Sequence, residues 1–477
     1  MIRPARAARH GSIFVTAMWV IIIVGALLVV FARSMRVELI ASGNRLSQVK
    51  ADAVELGAEQ YVLSLVDDTD GEAEYVLDQT GEAIPVGDGY FWLLRPASNE
   101  QTYEFGITDE AGKVNLTTAA EPQLLMLPGM TQEAADSILA WQDATGKVTG
   151  IGAGTNYYNT LPEPYKAKAS QLETVEETLL VKGVTPDLLF GVDRNRNGVI
   201  DPSESSHSSG MANAYGVISN RGIFPYVTVY TMEANTDSLG QARVNVNTPP
   251  GATVVTTNGK GATPQAAPNR GGGPPDNPAL RNALTQAGLP AARVNAVVSR
   301  AATSGPFANV FDFAKKVELA PQELRQVADR LTWTDQKMLT GLINVNTAPR
   351  EVLLTLPGLQ ESDADALIAQ RQRSDLTSIG WVAEALTTDK AALIGATITN
   401  RSYWYSADIV AVSGDGRGFK RVRIVVDARN TPAKIVYRKD LTSLGWPLPV
   451  EVRSALRSGQ SPPRVGQAGG RQGFGVR

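Results

Sequence analysis

The first strong pattern along the chain is an uncharged apolar run that passes into a helical repeat of apolar positions. The run extends from Ser12 to Ala32, and about 20 residues of helix are enough to cross the apolar core of a bilayer. Further apolar residues follow at near-helical spacing, with no proline among them: Val37, Ile40, Val49, Leu56, Tyr61 and Leu63. The pattern predicts one helix from about Ile13 to about Val66, the first part of which spans a membrane.

The charges beside the run bear on its orientation and processing. Arg3, Arg6 and Arg9 precede it, whereas acidic residues such as Glu38 dilute the arginines that follow. This bias favours a cytoplasmic N-terminus, with the bulk of the chain on the other side of the membrane. The run exceeds the apolar core of about 7 to 15 residues in a secretory signal, and it ends in Arg33 rather than at a small-residue cleavage site. We therefore predict that ordinary signal peptidase does not remove it.

Strand-like segments occur in two places that are far apart in the sequence. Residues 90–95 and 102–107 are rich in aromatic and apolar residues, and three more segments lie between residues 402 and 439, separated by GDGRG and NTP turns. The simplest interpretation is one antiparallel sheet packed on the C-terminal half of the long helix. The sheet is interrupted by an insertion at residues 113–398, which predicts an α+β fold.

The insertion contains an internal repeat. Residues 113–139 and 342–368 share the pattern of an Asn, a Leu-Pro-Gly turn and a following Ala-rich helix, with the same spacing from Asn115 to Gly129 as from Asn344 to Gly358. Capping residues, a helix-ending glycine and a second helix with inward-facing alanines predict a helix-hairpin-helix. A third copy is divided between residues 244–250 and 287–300, and a low-complexity loop is predicted at residues 251–277.

Composition limits the possible chemistry. The chain has 477 residues, 43% hydrophobic and 19% charged, with a net charge of -3 and no cysteine. Disulfides, thiolate metal sites and cysteine nucleophiles are therefore excluded. The two histidines, His10 and His207, belong to no hydrolase triad or zinc signature. We predict a protein that is not an enzyme.

One metal-binding motif is complete. DRNRNGVIDPSE, residues 193–204, fits the spacing of a calcium loop. The predicted ligands are the side chains of Asp193, Asn195, Asn197, Asp201 and Glu204 and the carbonyl of Val199. The alternative is a surface turn rich in Asn and Gly. Because two of the ligands are neutral, we expect weak Ca²⁺ binding, with a Kd on the order of 10⁻⁵ to 10⁻³ M.

The N-terminal region resembles a type IV pilin-like signal, in which a short basic leader ends in glycine directly before an apolar helix. The resemblance implies that a prepilin peptidase cuts between Gly11 and Ser12 and that the helix is retained for filament assembly. The fifth residue after the cut is usually Glu and here is Thr16, so Thr16 is a candidate assembly residue. A plain single-pass anchor is the alternative.

Further segments narrow the resemblance to one family. They are DEAGKVNLTTA (109–119), ILAWQDA (138–144), ETVEETLLVKGVTPDLLFG (173–191), PYVTVY (225–230), VNVNTPP (244–250) and INVNTAP (343–349). The chain thus resembles the minor pseudopilin known as general secretion pathway protein K, of the type II secretion system. That family also departs from the usual Glu at the position of Thr16. The C-terminal tail and the loop at residues 251–277 have no counterpart in its pattern.

The resemblance implies a place at the tip of a periplasmic pseudopilus, whose assembly the protein helps to initiate for the export of folded proteins. Implied partners are two other minor pseudopilins, the prepilin peptidase, the inner-membrane secretion platform and inner-membrane lipid. Helix-hairpin-helix units also bind DNA, so the alternative function is a pilus-associated DNA-uptake protein. The hairpins carry acidic residues such as Glu133 and Asp365, which would repel phosphates, and we expect no nucleic acid.

The predicted organisation has six parts: a leader at residues 1–11, a transmembrane and amphipathic helix at 12–66, the first part of the sheet at 67–112, the insertion at 113–398, the second part of the sheet at 399–440 and a flexible tail at 441–477.

Overall fold

A computed structural model describes residues 11–67, 69, 71–77, 79, 81–97, 100–148, 150–205, 211–212, 218–248 and 277–466. The leader up to His10, the last residues of the tail and all of the predicted low-complexity loop except Asn277 lie outside these described residues.

Helices occur at the N-terminus, throughout the middle of the chain and near its end. The α-helices are α1 (Gly11–Val66), α2 (Ala73–Leu77), α3 (Glu121–Leu124), α4 (Gln132–Gln142), α5 (Thr155–Tyr158), α6 (Pro186–Phe190), α7 (Pro202–Ser205), α8 (Pro278–Gln286), α9 (Ala291–Ser304), α10 (Val310–Val317), α11 (Pro321–Val327), α12 (Arg350–Leu353), α13 (Glu361–Arg371), α14 (Val382–Ala385), α15 (Thr388–Ile394) and α16 (Val450–Arg457). Short 3-10 helices lie at Val175–Leu180, Phe224–Tyr226, Ala328–Arg330, Ile379–Trp381 and Thr442–Leu444.

Strands flank the helical middle of the chain and also occur as two- or three-residue pieces within it. They are β1 (Ile84–Val86), β2 (Gly89–Arg95), β3 (Glu104–Phe105), β4 (Thr108–Asp109), β5 (Val114–Asn115), β6 (Met211–Ala212), β7 (Ile218–Ser219), β8 (Val227–Thr228), β9 (Met232–Ala234), β10 (Val244–Asn245), β11 (Leu331–Thr332), β12 (Met338–Thr340), β13 (Ile343–Asn344), β14 (Ile398–Thr399), β15 (Trp404–Val412), β16 (Phe419–Asp427) and β17 (Lys434–Asp440).

The main sheet joins the two strand-rich regions. Its order is β1-β2-β15-β16-β17, with β3 paired to β2 and β4 paired to β15, and the paired strands are antiparallel. The second half of α1 packs on one face through small and β-branched residues, among them Val54, Ala58 and Val62. The predicted α+β fold, with a long helix on an antiparallel sheet and a large insertion, is confirmed.

The turn between β15 and β16 lies directly against α1. A Cβ on Gly418 would come within 2.2 Å of the Ser47 carbonyl oxygen, so only glycine fits this contact. The Ser47 hydroxyl donates to the Asp415 carboxylate at 2.6 Å. The opposite end of the sheet lies near the end of α1, where the Ala433 amide donates to Asp67 at 2.7 Å. The strands therefore follow the axis of the helix.

The insertion leaves the sheet after β4 and returns at β15. Its buried apolar residues, from Val114 to Ile398, form one continuous core. Helices dominate it, but it also contains two-residue parallel strand pairs, β5 with β8, β10 with β11 and β13 with β14. These pairs were not predicted.

The strand pairs belong to three equivalent units. In each unit an asparagine near the start accepts a hydrogen bond from the backbone amide two residues later: Asn115 from Thr117, Asn245 from Asn247 and Asn344 from Asn346. Each unit continues into a pair of helices, α3 with α4, α8 with α9 and α12 with α13. The third copy exists, and its first helix is α8, which was missed because it follows the low-complexity segment.

The prediction of a flexible tail from residue 441 is wrong for its described part. Leu448, Val452 and Leu456 are buried against Trp92, Leu94, Val410 and Val412 on the face of the sheet opposite α1. The segment around α16 thus covers a second apolar face of the sheet. Without this segment, that face would be exposed to water.

Candidate assembly helix and cation-binding loop

The first half of α1 has no partner within the described part of the chain. Its apolar side chains remain exposed, for example Ile13 by 71%, Leu27 by 63% and Phe31 by 63%. Of the residues that the structure describes, this helix alone is long and apolar enough to cross a membrane. Such a continuous apolar surface requires lipid or protein around it.

The residues predicted to act in processing and assembly lie at the start of this half. Gly11 is the first helical residue, Ser12 follows it, and both lie within α1. The Thr16 hydroxyl donates to the Ile13 carbonyl at 2.9 Å. This local bond satisfies the hydroxyl in an apolar environment without another subunit.

The second half of α1 is tied to the edge strand β17 by charge as well as by apolar packing. Arg438 donates to Glu55 at 2.9 Å and to Glu59 at 2.6 Å. Both carboxylates are almost fully buried, whereas the Arg438 side chain is 43% exposed. The guanidinium of Arg438 thus forms ion pairs with two carboxylates that lie one turn apart on the helix.

Two adjacent acids fix the junction between the sheet and the insertion. The buried Asp109 carboxylate accepts hydrogen bonds from the Ala111 amide, Asn344, Thr347 and Ser402. Burial raises the pKa of the Asp109 carboxyl above its ordinary value, and these hydrogen bonds oppose the rise. Asp109 thereby joins residues from both ends of the insertion.

Glu110 completes the junction. It accepts hydrogen bonds from Lys113, Thr228 and Ser406, each at 2.5 Å. Burial alone would raise the pKa of Glu110, but the positive charge of Lys113 and these hydrogen bonds hold it below its ordinary value. Sequence reasoning did not single out either acid. The sequence feature that could have indicated them is the pair of acids at the end of a strand, with Lys113 three residues after Glu110.

The predicted cation loop has the turns that such a loop needs. The Asp193 carboxylate accepts from the amides of Asn197 at 3.1 Å and Gly198 at 2.9 Å. Asn195 accepts from the Asn197 amide, and Asn197 accepts from the Val199 amide. Gly198 has a φ of +83°, a conformation that glycine adopts without strain. The alternating side chains thus turn inward around one backbone loop.

Glu204 closes the loop. Its carboxylate accepts from the amides of Arg194 at 2.9 Å and Asp201 at 3.1 Å. The Asp201 carboxylate accepts from the Asn195 side-chain amide at 2.8 Å. In the described residues, no three acids or histidines form a group with metal-binding geometry. The structure therefore joins the predicted side-chain ligands in one hydrogen-bonded loop without clustering three acids.

The electrostatics of the loop fit a cation. Asp193 and Glu204 are only 5% and 9% exposed. Burial and the negative charge of Glu204 raise the pKa of Asp193 to about 6, although two backbone amides oppose the rise. Two buried carboxylates with carbonyl and amide oxygens nearby are the hard donors that Ca²⁺ prefers, so the residues present fit this ion.

Arg421 connects the loop to the sheet. Its guanidinium is fully buried and donates to the carbonyls of Asn195 at 2.5 Å and Arg196 at 2.6 Å. It also pairs with Asp408 at 2.8 Å. Sequence reasoning missed Arg421, because β16 also contains Lys420 and Arg423 and the pattern does not distinguish Arg421 from them. Hydrogen bonds from Arg421 thus hold the loop against the sheet.

The acidic residues of the repeat hairpins form ion pairs with basic residues of the same chain. Gly129 and Gly358 have φ values of +68° and +73°, as predicted for helix-ending glycines. Glu133 pairs with Lys182, Asp363 with Lys390, and both Glu361 and Asp365 with Arg350. Because these acids are paired within the chain, the hairpins are better explained as units of helix packing than as a surface that binds nucleic acid.

Two family models match the chain, and both describe type II secretion system (T2SS) protein K. They cover residues 108–192 and 343–398, which contain the junction acids and the first and last repeat units. Over these two ranges the chain is similar to the protein K family, whose members are minor pseudopilins of the type II secretion system. No curated protein matches the chain.

Among solved structures, the chain is similar to one chain in the crystal structure of the GspK-GspI-GspJ complex from the enterotoxigenic Escherichia coli type 2 secretion system. The sequence identity is 12%, and the alignment covers 85% of this chain and 99% of that chain, with a TM-score of 0.34.

Proposed function

We propose that this protein is a minor pseudopilin of the type II secretion system that occupies the tip of a periplasmic pseudopilus and helps to initiate its assembly for the export of folded proteins. The two matches to the protein K family support a structural, non-enzymatic role. The proposal also includes prepilin peptidase cleavage after Gly11, a cytoplasmic N-terminus and a periplasmic bulk. Its partners are two other minor pseudopilins, the inner-membrane secretion platform and inner-membrane lipid.

The observation that carries the tip position is the place where the insertion is attached. The chain leaves the sheet after Asp109 and returns at Trp404. This end of the sheet lies beside the end of α1, because the Ser402 amide donates to the Gly71 carbonyl at 2.9 Å. The membrane-facing end of the sheet, at Gly418, lies against Ser47, about 28 Å lower on the helix. The insertion is attached at the distal end, although its loop at residues 193–204 also reaches Arg421 in β16. An insertion attached there would obstruct a subunit stacked above it.

The test is to locate the protein on the filament. We expect labelling of the full chain to mark one end of each pseudopilus, and deletion of its gene to reduce the number of filaments that start. Labelling spread along the shaft would contradict the tip position.

We also propose that the loop from Asp193 to Glu204 binds Ca²⁺. Asp193, Asn195, Asn197 and Glu204 would hold the ion, with the Val199 carbonyl and Asp201 completing the set. The ion would supply positive charge between the Asp193 and Glu204 carboxylates, which are otherwise buried side by side. Because Arg421 links the loop to the sheet, the bound ion would stabilise the contact between the insertion and the sheet. Calorimetric titration of the metal-free protein with Ca²⁺ tests this binding.

A further inference from the structure

The C-terminal helix α16 lies at the membrane-facing end of the globular part. Arg453 donates to the carbonyls of Gly416 and Arg417, both at 3.1 Å. These residues form the turn between β15 and β16, which contacts α1 at Ser47 through Asp415. The helix and the turn together form an underside that faces the membrane-spanning half of α1.

Positive charge is concentrated on this underside. Arg453 and Arg457 lie on α16, and Arg417 lies on the turn, 3.9 Å from Asp415. In the described part of the chain, neither Arg453 nor Arg457 forms an ion pair; Arg453 bonds to carbonyls and lies over the rings of Phe419 and Trp446. Burial and the charge of Arg457 lower the pKa of Arg453. Asp415, on the same turn as Arg417, already accepts from Ser47 and Ser413.

A groove lies beside these arginines. It has a volume of about 490 Å³ and is lined by Trp446, Val450, Arg453, Ser454, Arg457 and Ser458. Val450 is 70% exposed, although α16 buries its opposite face in the sheet core. The groove therefore combines an apolar floor with two guanidinium groups, which suits an acidic protein segment with an apolar side chain.

The distance between the groove and the membrane favours a protein rather than a lipid as the molecule that occupies the groove. Ser47 lies 15 residues beyond Ala32, which is about 22 Å of helix. The headgroup region extends only about 5 to 8 Å beyond the apolar core on each side. The intervening part of α1 exposes Leu39 by 74% and Leu46 by 59%. The space under the groove is therefore lined by an apolar helix surface that suits a protein neighbour.

We propose that the groove beside Arg453 and Arg457 binds an acidic segment on the globular part of the minor pseudopilin that follows this subunit in the filament. The inference rests on the proposed tip position, because subunits added later then approach from the membrane side. The arginines would pair with its carboxylates, and Val450 with Trp446 would bury an adjoining apolar side chain.

The experiment measures binding of the full-length chain in detergent to the two other minor pseudopilins of its host. Arg457→Glu reverses one charge at an exposed position, and Arg457→Gln only removes it. Arg373→Glu is the matched control, because Arg373 is an exposed arginine on the insertion. We expect Arg457→Glu to weaken binding roughly tenfold or more, Arg457→Gln to weaken it less, and Arg373→Glu to leave it unchanged.

Thermal unfolding and salt dependence complete the test. The three variants should melt like the wild type, and raising the salt concentration should weaken wild-type binding more than Arg457→Glu binding. Equal affinity of wild type and Arg457→Glu would overturn the groove proposal and leave the tip position intact. Absence of wild-type binding to either pseudopilin would overturn both. Loss of binding to anionic phospholipid vesicles by Arg457→Glu, with pseudopilin affinity unchanged, would assign the groove to lipid instead.

Discussion

The two halves of α1 differ in where they find their partners. In the second half, Val54, Ala58 and Val62 are at most 3% exposed because the sheet covers them. In the first half, apolar residues such as Phe14 and Val30 are 75% and 65% exposed. Both halves are regular helix, so helix formation alone does not explain the difference. Under the proposed function, the first half finds its partners outside the chain, in lipid and in neighbouring subunits.

A similar contrast separates the repeat units from the cation loop. The Asn115 side chain accepts from the Thr117 amide and donates to the Thr231 hydroxyl, so its polar groups are satisfied within the chain. The loop instead buries the Asp193 carboxyl, and this burial together with the negative charge of Glu204 raises the pKa of Asp193. The repeat is complete as folded, whereas the loop, under the proposed function, would gain stability from a bound cation.

The strongest test of the comparison is to replace residues 12–32 by an unrelated transmembrane helix. If lipid were the only partner of this half, any apolar helix would serve. We expect membrane insertion to persist and secretion to be lost, because packing between subunits depends on side-chain shape. Cell fractionation and an assay of exported protein measure the two outcomes. Ile22→Val, a small change within the same run, is the control and should secrete normally. Full secretion with the unrelated helix would reduce this half to an anchor.

Gly11→Val tests whether the first half must be released from the leader before it assembles. A β-branched side chain would crowd the backbone that the peptidase has to reach, so we expect the unprocessed chain to accumulate and secretion to fall severely. Mass spectrometry of the N-terminus identifies the product, which in the wild type should begin at Ser12. Gly25→Val is the matched control, because a Cβ at Gly25 meets no atom within 4 Å. A wild-type chain that retains Met1 would contradict the prediction.

A pair of valine substitutions compares the two halves directly. Val62→Ala removes two methyl groups from the core between helix and sheet, and we expect the free energy of unfolding to fall by about 2 kcal/mol. Val29→Ala makes the same change where the side chain is 55% exposed, and it should leave the unfolding of the globular part unchanged. Chemical denaturation in detergent measures both. Equal losses would mean that the first half also packs within the chain.

The sequence revealed those features that depend on long or regular patterns. The end of α1 at Val66 and the strands β15, β16 and β17 followed from apolar periodicity and turn residues. The repeat was visible because Asn115 and Asn344 stand in the same sequence context. The loop from Asp193 to Glu204 was singled out because its residue types and spacing match a calcium loop, and its ion binding stays a prediction.

The features that were missed depend on contacts between distant segments. Two-residue strands such as β13 have no period, and they form because parallel partners more than 50 residues away reach them. The tail was mistaken for a flexible segment because its proline and glycine content hid α16, although Pro449 caps that helix. Arg421 could not be connected to the loop, because only the fold places β16 beneath residues 195 and 196.

Removal of Ca²⁺ tests the part of the comparison that concerns the loop. A ligand bound only by the folded state stabilises that state, so we expect a chelator to lower the Tm by about 2 to 4 °C. Glu204→Ala should lower it similarly and abolish the effect of the chelator. Glu163→Ala, at an exposed position, is the control and should keep the wild-type response. Identical melting of the wild type with and without chelator would count against the cation.

Thr16→Glu has the smallest expected effect, and it tests what the first half contacts at its start. A glutamate there would lie within the apolar run, where an unpaired carboxylate is unfavourable. Most pilin-like subunits have a glutamate at this position. The resemblance implies that this glutamate pairs with the N-terminal amine of the subunit ahead. A subunit at the tip has none ahead, and Thr16 satisfies its hydroxyl on the Ile13 carbonyl instead.

We therefore expect Thr16→Glu to leave secretion at or slightly below the wild-type level, with the labelled protein still at one end of the filament. Thr16→Val keeps the shape of the side chain without its hydroxyl and should be indistinguishable from the wild type. Secretion assays and filament labelling of both variants separate the possibilities. A loss as complete as that of the helix replacement would make position 16 a specific contact. Secretion above the wild-type level would show that a carboxylate finds a partner there, and hence that another subunit lies ahead of this one.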